Sequence, residues 1–215
     1  MSEATLLPAF DDAVRSSQRV FRTALKAIAE PGTMHTLDDS LSLKGIDQLA
    51  PAGYALCLSL LDNETPVWLA PGLDTAALRA NLAFHCGCPF VTHREQAAFA
   101  LLTVNELGDL SCFTAGTDRD PDQSCTLLVQ LDSLEQGHAT FWQGPGILKE
   151  RNMHLPLTDG FWSQRHAHRF PQGLDVFYYR KSPDSASTQH TCPARRAKRG
   201  ELNVCCRERW RKSHR

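Results

Sequence analysis

The 215-residue sequence lacks any apolar run long enough to cross a membrane. Its longest clean apolar stretch, around residues 54–61, is far shorter than the about 20 residues that a transmembrane helix needs. The first residues lack the basic and apolar regions of a secretory signal, so we expect the eight cysteines to be reduced thiols in the cytoplasm. With 42% hydrophobic and 22% charged residues, the composition is that of an ordinary globular chain.

The sequence also lacks the common catalytic signatures. It contains no G-x-S-x-G or H-E-x-x-H pattern and no complete glycine loop for binding a phosphate. Only three lysines precede residue 181, which leaves few residues that could form a Schiff base with pyridoxal phosphate. Of these, only Lys149 follows a glycine turn and is a candidate. The residues alone therefore predict no reaction.

Acidic residues dominate most of the chain, and basic residues dominate its end. Residues 181–215 contain ten Lys or Arg against three Asp or Glu, which leaves a net charge of −8 for residues 1–180. An acidic body argues against partners that bind through phosphate neutralisation, and we expect neither nucleic acid nor membrane as a partner. We predict an α/β domain over residues 1–180 and a basic irregular tail over residues 181–215, either disordered or translated in a shifted frame.

Helix and strand patterns alternate along residues 1–180, which predicts an α/β fold. The expected helices are 11–30 with an N-cap at Asp11-Asp12, 51–61, 74–84 with an N-cap at Asp74, and 159–168. The expected strands are 34–37, 65–69, 96–103, 126–131, 139–142 and 175–179. Pro66 indicates that the second of these strands either lies at a sheet edge or begins at this residue. In the first helix, the apolar residues lie on one face: Val14, Phe21, Leu25 and Ile28.

Histidine and cysteine residues cluster near the end of the helix expected at 74–84. His85, Cys86, Cys88 and His93 have the chemistry of metal ligands. Zinc usually takes two closely spaced ligand pairs, and no second cysteine pair stands at a suitable distance in the sequence. We therefore interpret this cluster as a helix end and predict no metal site. The histidines of the 165–169 segment are interpreted as a solvated helix end for a similar reason.

A glycine turn offers the second candidate site. Gly144-Pro145-Gly146-Ile147 follows a strand and could present backbone N–H groups to a phosphate, with Arg22 and Lys149 as charged partners. Pro145 removes one donor, so a plain tight turn is the favoured interpretation. Two alternative functions stay open: an independent enzyme that binds a phosphorylated substrate at this turn, and nucleic-acid binding through residues 195–215. Trp68 on the edge strand is either an anchor for a protein partner or part of the core.

The order of several short motifs resembles one known family. They are F-R-x-x-L-x-A-x-x-x-P-G from Phe21, L-D-N-E-T-P-V-W-L from Leu61, Phe84-His85, Gly116-Thr117, Gly144-Pro145-Gly146-Ile147, and F-P-x-G-x-D from Phe170. In this order they resemble the PhnH family, the H subunits of the bacterial carbon–phosphorus lyase core complex. The resemblance covers about residues 9–177.

This resemblance implies a fold, a function and partners. The fold would be a mixed sheet with helices, similar to the large domain of pyridoxal-phosphate transferases but without that cofactor. The chain would be a structural, non-catalytic subunit beside the G, I and J subunits, and a homodimer in isolation. The complex would transfer a phosphonate to the ribose C1 of ATP and release adenine. No residue is predicted to be catalytic, to bind a cofactor or to bind a metal.

The same family implies an explanation for the tail. Its members end with a strand and a segment like A-L-P-R-T-T-R, whereas this chain departs from that ending at Tyr178. If the reading frame moves by one base from there, suitable codons would encode an apolar, strand-like sequence that ends A-L-P-R-N-T-R. This agreement favours a frame shift as the origin of residues 178–215.

Overall fold

The computed structural model describes residues 5–37, 42–168 and 171–180, and the backbone of 201–205 and 209–212. The α-helices within these residues are α1 (Ala13–Ala29), α2 (Pro51–Leu60), α3 (Ala76–Cys86) and α4 (Asp159–Ala167). The strands are β1 (His35–Thr36), β2 (Val67–Leu69), β3 (Phe99–Thr103), β4 (Thr126–Leu131), β5 (His138–Gln143), β6 (Arg151–Leu155), β7 (Asp175–Arg180), β8 (Glu201–Cys205) and β9 (Arg209–Lys212). None of the helices in these ranges has the length and apolar character to cross a membrane.

The larger sheet has six strands in the order β1-β8-β7-β4-β3-β2. Strands β7, β4, β3 and β2 run parallel to one another, while β8 is antiparallel to both β7 and β1. A smaller antiparallel sheet has the order β6-β5-β9. The predicted α/β class with a mixed sheet is therefore confirmed.

Both faces of the parallel strands are buried, which explains their continuous apolar sequences. Leu101, Leu128 and Phe177 belong to the cluster that the sheet forms with α1, α2 and α3. The intervening side chains point to the opposite face. There they join a second cluster that contains Trp142 of β5 and Trp162 of α4. The two tryptophan rings pack edge to face, with their centroids 5.9 Å apart. The sheet is thus the middle layer of three.

Local sequence signals place most helix ends correctly, with one correction. Asp12 caps α1, since its carboxylate accepts a hydrogen bond from the backbone N–H of Arg15 at 2.9 Å. The prediction of Asp74 as the cap of α3 is wrong. The Thr75 hydroxyl accepts the hydrogen bond from Leu78 N–H, and Asp74 instead pairs with the guanidinium of Arg79 at 2.8 Å.

Three strands are absent from the sequence-based assignment: β6, β8 and β9. Strand β6 follows the glycine turn and has buried Met153 and Leu155 alternating with exposed neighbours. Strands β8 and β9 belong to the segment for which an irregular tail is predicted, and β8 pairs with β7 between Val176 and Tyr179. Residues 181–200, 206–208 and 213–215 lie outside the described residues, and the predicted frame shift stays a prediction.

Strand β2 lies at the edge of the large sheet and begins directly after Pro66, so both positions that Pro66 indicates are found. At Val67, the backbone groups that point away from β3 still have hydrogen-bond partners. The Val67 N–H donates to Pro89 O at 2.8 Å, and the Val67 carbonyl accepts from Val91 N–H at 2.9 Å. Trp68 is only 8% exposed, and the guanidinium of Arg94 covers its ring at 4.5 Å from the centroid. The core interpretation of Trp68 is therefore the one that the structure favours.

Candidate functional site

Helix α1 packs on the molecule through small side chains. Its buried residues are Val20, Ala24 and Ala27, which lie on one side of the helix. Small side chains let two helices approach closely, and the Ser59 hydroxyl of α2 reaches the backbone carbonyl of Ser17 at 2.7 Å. This contact face therefore holds α1 in place without its larger apolar side chains.

Those larger side chains are turned to solvent. Val14 is 68% exposed, Phe21 48%, Leu25 53% and Ile28 40%. They are the four residues that the sequence pattern places on one helical face. The periodicity identifies the face correctly, but the chain's own core lies beside it, under Val20 and Ala24. A row of exposed apolar side chains on one helix is typical of a protein–protein contact surface.

The Gly144 turn lies against the C-terminal end of α1. Gly146 has a φ of +82°, and a Cβ added there would overlap the carbonyl oxygen of Ala29. The C-terminal end of a helix carries partial negative charge and exposes carbonyl oxygens, so it repels a phosphate. The Ile147 N–H is used within the turn, where it donates to Gly144 O at 3.1 Å. The geometry favours the tight-turn interpretation over an anion site.

The charged residues considered with this turn do not converge on it. Lys149 is exposed next to Leu148, which is itself 97% exposed. Arg22 lies on α1 two turns before Ala29, which is about 10 Å along the helix axis at 1.5 Å per residue. Lys149, Arg22 and the glycine turn therefore form no cradle for a phosphate.

The histidine and cysteine cluster is a packed helix end. The His85 ring nitrogen Nε2 lies 2.9 Å from the carbonyl oxygen of Leu7, and the thiol of Cys86 lies 3.6 Å from the carbonyl oxygen of Cys57. Burial raises the pKa of Cys86 to about 12 and that of Cys57 well above its usual range. A metal binds the thiolate, so both shifts disfavour binding. The described residues contain no group of three or more His, Cys, Asp or Glu that could hold a metal.

The remaining sequence candidates are structural or undescribed. His166 lies in the last turn of α4, and burial beside Arg165 lowers the pKa of His168. Gly116 has a structural role. Its φ is +75°, and a side chain at this position would bring a Cβ into the backbone of Pro121, so the turn requires glycine. The candidate nucleic-acid segment comprises residues 195–215. Residues 195–200, 206–208 and 213–215 lie outside the described residues, and only the backbone of 201–205 and 209–212 is described.

Comparison with known sequences identifies the family. The sequence model of the family described as "Bacterial phosphonate metabolism protein (PhnH)" matches residues 8–184. The chain belongs to the PhnH family. The predicted resemblance is thereby confirmed, over a region that includes α1 and ends close to the start of the basic tail.

A named relative supports the same assignment. The "Alpha-D-ribose 1-methylphosphonate 5-triphosphate synthase subunit PhnH" of Rhizobium meliloti (strain 1021) is 34% identical to this chain over 173 residues. That alignment covers 78% of this PhnH chain and 85% of the relative. Two residues of the first motif, Phe21 and Leu25, are exposed on α1 rather than packed in the core. Sequence reasoning found these residues but could not show that they face solvent.

Proposed function

We propose that this PhnH chain is a subunit of an α-D-ribose 1-methylphosphonate 5-triphosphate synthase. Such a synthase transfers a phosphonate to the ribose C1 of ATP and releases adenine, which makes it part of phosphonate catabolism. The observation that carries the proposal is the 34% identity to a protein of that name over 85% of its length. The family match over residues 8–184 spans all the described elements from α1 to β7.

We further propose that the chain's role in the synthase is structural rather than catalytic. Its partners would be the G, I and J subunits of a carbon–phosphorus lyase core complex, and it would form a homodimer in isolation. The exposed apolar face of α1 supports such a role because subunits associate through surfaces of this kind. The I subunit would carry the nucleosidase chemistry.

Two finer expectations belong to the same proposal. The first is a fold similar to the large domain of pyridoxal-phosphate transferases without that cofactor, and the exposed position of Lys149 is consistent with it. The second is a cytoplasmic location, which agrees with the five free cysteines among the described residues.

An activity reconstitution tests the proposal. The G, I and J subunits are incubated with ATP and methylphosphonate, together with the L subunit, which the family resemblance implies for this step. The incubation is done with and without this chain, and released adenine is measured by chromatography. We expect adenine only when the chain is present with the other subunits. Equal adenine release without it would refute the subunit role. Adenine release by the chain alone would support the alternative of an independent enzyme.

The origin of the tail needs its own test. Sequencing the gene around the codons of Phe177 and Tyr178 decides whether the frame shifts there, and an intact reading frame would rule out the shift. The reconstitution should therefore use both the chain as written and its frame-restored version. A difference between the two versions would assign a role in the synthase to residues 178–215.

A further inference from the structure

The outward surface of α1 has an apolar half and a basic half. At 100° per residue, Val14, Phe21 and Leu25 lie together along one flank of the helix. Arg22 and Lys26 lie along the opposite flank, and both are exposed. The two halves meet where Leu25 and Arg22 are neighbours on the helix surface. The surface can therefore contact apolar and charged groups of one partner at the same time.

Among the described residues, neither core cluster includes the apolar half, Val14, Phe21 and Leu25. Helix α1 is held by Val20, Ala24 and Ala27 and by the hydrogen bond from Ser59. Leu25 and Phe21 remain about half exposed. Exposed apolar groups of this size lose their contact with water when a second surface covers them, and that burial favours association.

The basic half indicates the charge of the partner. The ion pairs found among the described residues join Arg15 with Asp12 and Arg79 with Asp74, and neither involves Arg22 or Lys26. The sequence of α1 contains four basic residues and no acidic residue, although residues 1–180 as a whole carry −8. The helix itself is thus basic on an acidic chain, with the acidic residues Asp11, Asp12 and Glu30 confined to its two ends. A partner surface bordered by carboxylates would be attracted to it.

The same charges disfavour two other occupants. If two copies met through their α1 helices, Arg22 and Lys26 of one copy would approach those of the other, and like charges would oppose the contact. An anionic membrane would attract the helix but repel the chain as a whole, because residues 1–180 carry a net charge of −8. A different protein chain of acidic and apolar character fits α1 best.

We propose that the outward face of α1 binds another subunit of the synthase through an apolar groove bordered by Asp or Glu side chains. This inference rests on the proposed function, because it takes the partner to be a subunit of that complex. The anchors are Phe21 and Leu25, and Arg22 and Lys26 provide the charge contacts.

Co-purification with paired variants tests this surface. The chain is co-expressed with the G, I and J subunits, of which only the I subunit carries an affinity tag. The apolar variant is Phe21→Ser with Leu25→Ser, and the charge variant is Arg22→Glu with Lys26→Glu. The matched controls are Phe84→Ser on α3, where Phe84 is 67% exposed, and Arg119→Glu in an exposed loop. Each variant is first shown by thermal unfolding to be folded.

The expected result is specific to α1. Recovery of each α1 variant should fall by about ten-fold or more, the effect of losing an interface anchor. Recovery of both controls should equal that of the unchanged chain. Raising the salt concentration should weaken the complex of the unchanged chain, because its charge contacts are screened. The charge variant should show a smaller dependence on salt.

The other outcomes separate the surface from the function. If neither the unchanged chain nor its frame-restored version is recovered with the other subunits, the proposed function is wrong. If it is recovered and the α1 variants are recovered equally, the function stands and the inference about α1 is wrong. If the α1 variants are recovered with the other subunits but sediment as monomers where the unchanged chain sediments as a dimer, the outward face of α1 binds a second copy of this chain. That outcome would overturn the proposal. Binding to anionic vesicles that the same variants abolish would likewise overturn the proposal.

Discussion

The side-chain amide of Asn81 holds the backbone of Leu7. Its Oδ1 accepts a hydrogen bond from the Leu7 N–H at 2.7 Å, and its Nδ2 donates to the carbonyl oxygen of Thr5 at 3.1 Å. Asn81 is completely buried on α3, where Nδ2 also reaches the carbonyl oxygen of Ala77 at 2.9 Å. One amide therefore satisfies both a donor and an acceptor of an extended segment, as a neighbouring strand would.

Replacing this amide should loosen the N-terminal segment. We expect Asn81→Leu to lower the free energy of unfolding by about 2 kcal/mol, because the backbone groups of Leu7 and Thr5 lose their buried partner. Urea unfolding measures the change, and Asn63→Ala in an exposed turn is the control that should stay within about 0.5 kcal/mol of the unchanged chain. An Asn81→Leu variant with an unchanged unfolding midpoint would contradict the role of this side chain.

Two glycines should respond to alanine in opposite directions. Gly146→Ala forces a Cβ into the carbonyl oxygen of Ala29 at a φ of +82°, and we expect it to destabilise the fold by about 2 kcal/mol. Gly160 lies in α4, where an added Cβ meets only Thr158 Oγ1 at 3.7 Å. Gly160→Ala should stabilise by about 0.5–1 kcal/mol, since alanine is the better helix former. Thermal unfolding of both variants checks the pair, and equal effects would count against the close contact at Gly146.

The hydroxyl of Tyr179 should be dispensable. Tyr179 is completely buried, and its hydroxyl has no hydrogen-bond partner among the described residues. We expect Tyr179→Phe to be neutral or to stabilise by about 1 kcal/mol, because it removes a buried polar group that lacks compensation. Thr140→Val is the contrasting control. It removes a hydroxyl that donates to Met153 O at 3.0 Å and accepts from Trp142 Nε1 at 3.1 Å, so it should destabilise. Denaturant unfolding distinguishes these signs, and a large loss in Tyr179→Phe would be inconsistent with an unpaired hydroxyl.

Stability should fall on mild acidification because of His35. Burial, with help from Lys26, lowers the pKa of His35 below 6.5, and its Nε2 lies 2.6 Å from the Thr33 hydroxyl. The unfolded chain therefore takes up the proton more readily, so this contribution is complete above pH 6.5 and is lost as the pH falls through the folded-state pKa. We expect His35→Gln to flatten the stability profile between pH 7.5 and pH 5.5. A profile that His35→Gln leaves unaltered would exclude His35 as the cause.

Local sequence signals were sufficient for most elements of the fold. The strand predicted at 126–131 is β4 without a shift, and the helix that Asp12 begins is α1. The cap of α3 was misassigned because Asp74 and Thr75 are adjacent and both favour that position. The structure distinguishes them, because Thr75 accepts the hydrogen bond from Leu78 N–H while Asp74 pairs with Arg79.

Features that depend on distant partners could not be read from the sequence. Strand β8 forms beside β7 and β1, and such pairing depends on tertiary context more than on local preference. For α1, periodicity identifies an apolar face, but it cannot state whether the chain itself or another protein covers that face. The structure shows that Val20 and Ala24 are buried and that the described part of the chain leaves Phe21 and Leu25 about half exposed. The candidate surface is therefore a result of the structure.

The hydrogen bonds at the outer edge of β2 have a consequence for the behaviour of this chain at high concentration. Exposed sheet edges are templates for aggregation, because they can recruit a strand from any neighbouring chain. Here Pro89 and Val91 already occupy the outward N–H and carbonyl groups of Val67. These groups cannot pair with a strand of a second molecule unless the segment with Pro89 and Val91 first moves away.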